Sequence, residues 1–301
     1  MTYHTYLITG GTGFIGRELC SRLARDGAQL TVLSRRGNDA IKRLPRSTRI
    51  ISSIQELTAG DSFDVVINLA GESIAGARWT KKRKQKIESS RIALTEELVD
   101  WMSAARSKPE VFLSASAIGF YGDQGDSMVT ESSEPVPDYA HELCARWEAS
   151  ALRAEACGVR TVIPRIGLVV GRNGGFLKQM AMPFWFGAGG PIGSGKQWMS
   201  WIHLEDLIGM FEFLIHSPET RGQFNATAPN PVTNEEFSRT LGRVIRRPAL
   251  LPAPAVAFKL AFGEMASLLL TGQRVLPLKA VDAGFLFRFS DLEEALRAVY
   301  R

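Results

Sequence analysis

The sequence predicts an α/β protein: a Rossmann-type, doubly wound parallel sheet followed by a smaller, mostly helical C-terminal substrate region. Strand and helix patterns alternate over the first 170 residues, as in a parallel sheet covered by helices on both faces. The predicted strands are nearly continuous apolar runs, as expected for strands that are buried on both faces. A glycine-rich turn also joins the first strand directly to a helix.

That turn, at residues 10–16, follows a first strand at 3–9. Gly10 permits a tight turn, Gly13 lets backbone N–H groups approach a pyrophosphate, and Gly16 lets the helix pack closely against the strand. The positive end of the helix dipole would face the pyrophosphate. A plain glycine-rich turn is the alternative, but the strand before it and the helix after it are the context that a dinucleotide site requires.

The second strand, at residues 29–34, indicates which dinucleotide binds, because its end usually carries the ribose-binding residue. NAD sites have an Asp or Glu there, whereas this strand ends in Ser34, Arg35 and Arg36. A guanidinium suits the 2′-phosphate of NADP(H), since it is a planar and permanently charged donor. The sequence therefore predicts NADP(H) rather than NAD(H). The alternative is that the two arginines are solvated loop cations, and we expect this of one of them.

The later elements place an NADP-binding Rossmann domain at residues 1–170, completed by about 203–228. The substrate-binding, mostly helical region takes residues 171–202 and 229–301. Residues 171–203 hold many glycines and three tryptophans, and such long loops are often functional, although the aromatics could instead attach the loop to the C-terminal helices. Later strands are predicted at 49–52, 64–69, 111–114, 159–165 and 222–226, and later helices at 81–106, 138–157, 203–217, 233–245, 255–271 and 290–299.

Composition places the chain among ordinary globular proteins, with 301 residues, 45% apolar residues and a net charge of +5. Much of the charge lies at 81–86, which we interpret as a solvated helix face, with attraction to a cofactor or another polyanion as the alternative. This run lacks interleaved aromatics, so no nucleic-acid partner is predicted.

Three cysteines without C-x-x-C spacing, and no signal-peptide pattern, predict a cytoplasmic protein with no metal site. The apolar stretch at 250–270 is interrupted too often for a membrane span.

The glycine turn, the strand end at 68–71 and Ser114–Ser116 before Tyr121 resemble the extended short-chain dehydrogenase/reductase superfamily. Its atypical, epimerase-like branch is similar in three further stretches, at residues 144–148, 189–203 and 272–277. Members of that branch are labelled nucleoside-diphosphate-sugar epimerases or, less convincingly, SulA-type cell-division inhibitors. The resemblance covers essentially the whole chain and implies NADP(H) binding. Together with the phosphate turn, it gives a predicted cofactor set of Gly10, Thr12, Gly13, Phe14, Ile15, Gly16, Ser34, Arg35, Arg36, Leu69, Ala70, Gly71, Arg91, Arg165 and Val169.

Short-chain dehydrogenases use a Tyr, a Lys four residues later and a Ser, and the Lys lowers the pKa of the Tyr. Ser116 occupies the serine position here, unless it is a structural hydroxyl. Tyr139 has Leu143 four residues on, and a register set by Glu148 would put Ala140 and Cys144 at the two positions. Neither register supplies a lysine, which puts the usual proton relay in doubt.

Ser116, Tyr121 and Tyr139 are therefore the candidate catalytic residues, and Tyr121 is as readily interpreted as a packing aromatic. Glu72, Trp201 and His203 are the candidate substrate contacts, since they follow a strand end or lie in the glycine- and tryptophan-rich segment. Packing is the alternative for any single tryptophan. The resulting hypothesis is an NADP(H)-binding, epimerase-like oxidoreductase for a small, polar or nucleotide-linked substrate. The alternative is a catalytically weak NADP(H)-binding redox sensor or regulatory protein.

Overall fold

The computed structural model describes residues 3–35, 42–75, 77–172 and 174–300 of the 301-residue chain. Arg36, one of the predicted cofactor residues, lies outside these described residues. Across the described ranges, none of the helices is both long and apolar enough to pass through a membrane.

Strands and helices alternate over the first part of the chain, as the sequence predicts. The strands are β1 (Thr5–Thr9), β2 (Gln29–Leu33), β3 (Arg49–Ile51), β4 (Val65–Asn68), β5 (Val111–Ser114), β6 (Ser116–Ala117), β7 (Met128–Val129), β8 (Arg160–Ile166), β9 (Leu168–Val170), β10 (Trp198–Met199), β11 (Trp201–His203), β12 (Gly222–Ala226), β13 (Val232–Thr233) and β14 (Arg274–Val275). The helices are α1 (Phe14–Arg25), α2 (Lys81–Ser89), α3 (Ile92–Ala104), α4 (Tyr139–Leu152), α5 (Gly175–Trp185), α6 (Leu204–His216), α7 (Asn234–Ile245), α8 (Ala255–Phe262), α9 (Ser267–Leu270), α10 (Leu278–Asp282) and α11 (Leu292–Tyr300).

Eight strands of the described chain form one parallel sheet in the order β12-β8-β5-β4-β1-β2-β3, with β6 also paired to β8. This order matches the Rossmann arrangement, in which the direction of chain progress reverses between β1 and β4. The predicted fold class is confirmed. The reversal matters for function, because ligands of such sheets bind outside the carboxyl ends of the strands at this switch point.

Both faces of the sheet are buried, because successive side chains of each strand point to opposite sides. In β1, Tyr6 and Ile8 pack on one side with apolar residues of α1 and α6, while Leu7 packs on the other side with α3. All four residues of β4 are buried, which explains its unbroken Val-Val-Ile run. A third apolar cluster joins α5, α7 and α11 and forms the core of the C-terminal region.

Two helices predicted as continuous are each divided. The segment predicted at 81–106 forms α2 and α3, with Arg91 as the N-terminal cap of the second helix. The segment predicted at 255–271 is divided after α8 by Gly263, whose φ of +59° is in the left-handed region. Glycine adopts that conformation without a steric penalty, so it ends a helix that apolar content alone would extend.

Candidate functional site

The turn after β1 can only be built with glycine at two positions. Gly10 has φ +70°, and a Cβ there would lie 2.5 Å from the Leu69 carbonyl oxygen at the end of β4. A Cβ at Gly16 would overlap the carbonyl oxygen of Gly10. These contacts bring the start of α1 against the turn and the turn against β4, directly at the switch point of the sheet.

The space in front of this turn is open to a ligand. Gly13 is exposed, and the single described neighbour that a Cβ there would meet within 4 Å is the Gly10 carbonyl oxygen, at 3.1 Å. Helix α1 begins at Phe14 with no side-chain cap and no acidic residue in its first turn. Its first N–H groups and its positive dipole end are therefore available to an anion, and these features fit the pyrophosphate of a dinucleotide.

The side chain of Phe14 supports the turn from the other side. A Cβ added at Gly171 or Gly175 would lie 2.8 or 3.0 Å from the Phe14 ring, and one at Gly174 would overlap it. The ring therefore packs against the backbone between β9 and α5. Because its ring is packed there, Phe14 would contact a phosphate through its backbone N–H, the kind of group that the sequence predicts for this turn.

Hydrogen bonds hold the ends of β1 and β4 together. The Thr9 hydroxyl donates to Oδ1 of Asn68 at 2.6 Å, and both side chains are fully buried. The same hydroxyl accepts the Ala70 N–H at 3.2 Å, while the Leu69 N–H donates to the Thr9 carbonyl at 3.2 Å. The predicted cofactor residues Leu69 and Ala70 are thus fixed beside the phosphate turn.

Arg91 fixes the next part of the same loop. Its Nη1 donates to the Glu72 carbonyl at 3.0 Å, and a Cβ at Gly71 would lie 2.9 Å from its Cζ. Gly71 therefore allows the guanidinium to lie against the loop. The contact places Arg91 next to predicted cofactor residues, although its position in the sequence is 20 residues away.

Three cations surround the carboxylate of Glu72. Nη1 of Arg83 donates to Oε1 at 2.9 Å, while Nζ of Lys86 and Nη2 of Arg35 lie 3.7 and 3.9 Å from Oε2. The Arg83 hydrogen bond and the charges of Lys86, Arg83 and Arg35 lower the pKa of Glu72. We call these four residues the Glu72 cluster. Its formal charge is +2, since three cations face one carboxylate, and its contacts favour a role for Glu72 in positioning cations in place of the predicted substrate contact.

The sequence did not predict Arg83 and Lys86 as site residues. They belong to the basic run at 81–86, and α2 brings that run beside Arg35 at the end of β2. The alternative interpretation of the run, attraction to a cofactor, was the only sequence signal for this position. Nε of Arg83 is buried and has no hydrogen-bond partner among the described residues.

Ser116 lies in a network of buried polar side chains. Its hydroxyl donates to Oε1 of Glu148 at 2.7 Å, and Arg165 donates to both carboxylate oxygens at 2.9 and 2.8 Å. Nη1 of Arg165 also donates to the Tyr121 hydroxyl at 2.9 Å, and that hydroxyl donates to Oδ1 of Asn225 at 2.7 Å. We call these five residues the Ser116 network. Each of its members is at most 4% exposed.

These contacts bear on two predicted functional residues. Tyr121 has no exposed surface, its hydroxyl has both a donor and an acceptor partner, and burial raises its pKa. The packing interpretation is therefore favoured for Tyr121 over proton transfer. The guanidinium of Arg165 is occupied by Glu148 and Tyr121, which likewise favours a structural role over the predicted cofactor contact.

The structure decides between the two registers proposed for the helix after the serine. Glu148 accepts the hydrogen bond of the Ser116 hydroxyl, and a Cβ at Gly119, three residues after Ser116, would lie 3.3 Å from the Cβ of Ala140 and 4.0 Å from the Sγ of Cys144. Ala140, Cys144 and Glu148 therefore share the face of α4 that meets Ser116. Burial, followed by the charge of Glu148, raises the pKa of Cys144 to about 12, so this thiol stays protonated and is a poor nucleophile.

Tyr139 lies on a different face of α4, toward α2. Its hydroxyl donates to the Lys84 carbonyl at 3.5 Å, and its ring packs edge-on against Trp79. Nζ of Lys84 lies 4.2 Å from the centre of the Tyr139 ring and is ion-paired to Glu264 at 2.7 Å. Burial, followed by the charge of Glu88, raises the pKa of Tyr139 to about 12. A lysine is thus present, but at the ring face, and it does not make this phenol a stronger acid.

Trp201 and His203 are both parts of the protein core. Trp201 has no exposed surface and its indole N–H donates to the Asn230 carbonyl at 3.0 Å. His203 is 5% exposed, accepts the Glu205 N–H at the start of α6, and packs against Phe289 at a ring distance of 4.1 Å. Both positions favour a structural role in place of the substrate contacts predicted from the sequence.

Burial of His203 should make stability fall in mild acid. Burial lowers its pKa from 6.5 to about 4, so between these values the unfolded chain binds a proton that the folded chain rejects. We expect protonation of this residue to leave the free energy of unfolding unchanged above about pH 6.5 and to lower it by roughly 2 kcal/mol by about pH 5. Urea unfolding of the unmodified chain and of His203→Asn at both pH values measures the effect. The asparagine keeps a side chain that can cap the helix. Equal pH dependence of both proteins would contradict it.

A cavity of about 330 Å³ lies between β9, helix α5 and the C-terminal helices. Leu168 at the start of β9 and Ala75 in the loop after Glu72 form its boundary with the first domain. The rest of its wall comes from helix α5, residues 188–199, Asn234 at the start of α7, Ala253, α8, α9 and Thr271. Trp198, unlike Trp201, lines this cavity.

A Rossmann sheet with an open phosphate turn at its switch point defines the class: this is an NAD(P)-binding fold of the epimerase and short-chain dehydrogenase type. Residues 6–227 match the model of the NAD dependent epimerase/dehydratase family. Residues 253–299 match a domain of unknown function, DUF1731. The chain therefore belongs to the NAD dependent epimerase/dehydratase family, and the resemblance seen in the sequence is confirmed.

Relatives match along the full length of the chain. Epimerase family protein YfhF of Bacillus subtilis is 41% identical over 297 residues, covering 96% of this chain and 95% of YfhF. The chloroplastic SDR39U1 homolog of Arabidopsis thaliana is 40% identical over 301 aligned residues, covering 98% of this chain and 86% of the relative. The crystal structure of human SDR39U1 isoform 2 with NADPH has a TM-score of 0.88 and 32% identity, and 98% of each chain is covered.

Proposed function

We propose that the protein is an NADP(H)-dependent oxidoreductase that acts on a small-molecule substrate. The observation that carries the proposal is the Glu72 cluster, which collects three cations beside the phosphate turn and replaces the carboxylate that NAD sites carry at the end of the second strand. The NADPH in the structure of human SDR39U1, which is similar along its whole length, supports the same cofactor.

Two groups of residues would hold the cofactor. The backbone N–H groups at the start of α1 would bind the pyrophosphate, in the open space above Gly13. Arg35, which is exposed, would bind the 2′-phosphate together with Arg83 and Lys86, whose charges lie beside it around Glu72. When bound, the nicotinamide ring supplies or accepts a hydride.

The residues around Ser116 favour weak proton transfer. The α4 positions that face Ser116 are Ala140 and Cys144, which carry neither a phenol nor an amine. This observation supports a second candidate function, an NADP(H)-binding sensor or regulatory protein with little catalysis. The Ser116 hydroxyl is buried and donates to the Glu148 carboxylate, which favours the structural interpretation of this serine over contact with a substrate oxygen.

An absorbance assay distinguishes the two candidates. Purified protein with saturating NADPH is mixed with a panel of aldehydes, ketones and quinones, and the loss of absorbance at the reduced-nicotinamide band is followed. Turnover of any member that requires both the protein and NADPH supports the oxidoreductase. Tight NADPH binding with no oxidation across the panel would instead support the sensor.

Reversing the charge of Arg35 should change cofactor preference. We expect Arg35→Glu to weaken NADPH binding by about 10- to 100-fold, since a charge-assisted phosphate contact becomes a repulsion, and to change NADH binding by less than about threefold. Calorimetric titration with each cofactor measures both values. Arg106→Glu is the matched control, because Arg106 is exposed and precedes β5. It therefore lies at the amino ends of the strands, away from the carboxyl ends where the cofactor would bind.

The same titration tests the other two cations. Arg83→Ala and Lys86→Ala should each weaken NADPH more than NADH, by about 3- to 30-fold. If Arg35→Glu lowers the affinity for both cofactors equally, the 2′-phosphate does not bind at the Glu72 cluster.

A further inference from the structure

The cavity of about 330 Å³ beside β9 is large enough for a bicyclic organic molecule. Its wall is dominated by aromatic and aliphatic side chains, among them Phe176, Phe258, Phe262, Met180 and Trp198. Two of its lining residues lie close in sequence to predicted functional residues. Leu168 immediately precedes the predicted cofactor residue Val169, and Ala75 lies in the loop after Glu72. A molecule in it would therefore lie beside β9, the strand that carries the predicted cofactor residue Val169.

Among the twenty described residues that line this cavity, none is charged. A nucleoside-diphosphate sugar carries two negative charges on its phosphates, and binding sites for such groups use arginine, lysine or free backbone N–H groups. The guanidinium of Arg274 is near, but it stacks on the Trp198 ring at 4.5 Å and does not line the cavity. The wall is thus unsuited to a pyrophosphate.

Two amides belong to the cavity wall, and one of them has a group to offer a ligand. Asn234 is 3% exposed, and among the described residues its Nδ2 is partnered by the sulfur of Met199 alone, at 3.4 Å, which is a weak acceptor. Nε2 of Gln197 donates to the carbonyls of Ile192 and Leu269, and its Oε1, which has no partner among the described residues, has almost no accessible surface. The wall can thus give one hydrogen bond, from Asn234.

The remaining polar residues of the wall offer less. Gln179 is exposed, and the Thr271 hydroxyl donates to the Ser267 carbonyl at 2.9 Å. A ligand that satisfies this wall is mostly apolar and carries a single oxygen function, since each further polar group would be buried without a partner.

We propose that the cavity is the substrate site of this protein and that it takes an uncharged, largely apolar carbonyl compound or alcohol, not a nucleotide-linked sugar. Its carbonyl or hydroxyl oxygen would accept a hydrogen bond from Nδ2 of Asn234. This inference rests on the proposed NADP(H)-dependent function, because it assigns the substrate class of the same site.

Calorimetric titration of NADPH-saturated protein with 2-tetralone, an uncharged bicyclic ketone, and with UDP-glucose tests the proposal. We expect 2-tetralone to bind at least about tenfold more tightly than UDP-glucose. UDP-glucose binding as tightly as the ketone, or no binding of the ketone, would overturn the substrate class. Failure of NADPH itself to bind would instead contradict the proposed function, so the two failures are distinguishable.

Variants on one helix locate the binding. Phe258 lines the cavity from α8, whereas Leu260 on the same helix is 74% exposed and lies outside the wall. Phe258→Asp should weaken 2-tetralone by at least about tenfold, and the matched control Leu260→Asp should change it by less than about twofold. Phe258→Ala, the milder variant, should weaken it about threefold or more. Equal affinities of Phe258→Asp and Leu260→Asp for the ketone would place the ligand elsewhere. NADPH affinity within about twofold of the unmodified chain shows that each variant is folded.

Discussion

Replacing Gly13 with valine is expected to abolish NADPH binding while the protein stays folded. Gly13 has an extended backbone, with φ −76° and ψ −178°, which valine adopts readily, and among the described residues its Cβ would have one neighbour within 4 Å, the Gly10 carbonyl oxygen at 3.1 Å, a tight contact that a shift of a few tenths of an ångström relieves. The new side chain would fill the space that the pyrophosphate needs. We expect NADPH affinity to fall by at least about 100-fold, because the loss includes several charge-assisted contacts.

Binding and stability measured together test this expectation. Calorimetric titration gives the affinity, and thermal unfolding should shift by no more than about 3 °C. Gly60→Val is the matched control, since Gly60 is exposed and a Cβ there would have its nearest neighbour at 3.6 Å. Gly60 precedes β4 and so lies at the amino ends of the strands, away from the phosphate turn. NADPH binding by Gly13→Val with undiminished affinity would mean that the pyrophosphate lies elsewhere.

The second large effect is expected in stability, from neutralising Glu148. Its carboxylate accepts two hydrogen bonds from Arg165, and each side chain is only 4% exposed. Glu148→Gln leaves the arginine charge buried without a counter-charge. We expect the free energy of unfolding to drop by about 3–5 kcal/mol, because the desolvation of that charge is no longer offset.

Urea unfolding of a double-mutant cycle measures this coupling. Glu148→Gln combined with Arg165→Met removes both charges, and it should be less destabilising than the sum of the single changes by at least about 1 kcal/mol. The control is the exposed pair Arg153–Asp100, joined at 3.1 Å, where Asp100→Asn should change stability by less than about 0.5 kcal/mol. Additive single changes at the buried pair would refute the structural role of the Ser116 network.

The fold and the phosphate turn could be predicted because their signals are local. A strand buried on both faces needs an unbroken apolar run, and β4 has one. Gly10 and Gly16 are required by atoms that lie within the turn or at the end of the neighbouring strand β4, so their spacing indicates the motif together with the strand before it and the helix after it. Helix boundaries were less predictable, since the division at Gly263 depends on one backbone conformation.

The chemistry of the site depends on contacts between distant residues, which spacing does not show. Lys84 meets Tyr139 across 55 residues, and Tyr121 meets Asn225 across 104. The sequence left two registers open for α4, and only the contact of Glu148 with Ser116 selects the one that contains Ala140 and Cys144. Burial likewise separates Trp198, which lines the cavity, from Trp201, which does not, although they are three residues apart.

The central claim is that the Glu72 cluster and the turn before α1 together bind NADP(H). Calorimetric titration of the purified protein with NADPH and with NADH tests it most directly. We expect saturable heat with NADPH at micromolar concentration or below, and an affinity for NADH at least about tenfold weaker. No heat with NADPH or with NADH, or equal affinity for the two nucleotides, would contradict this claim.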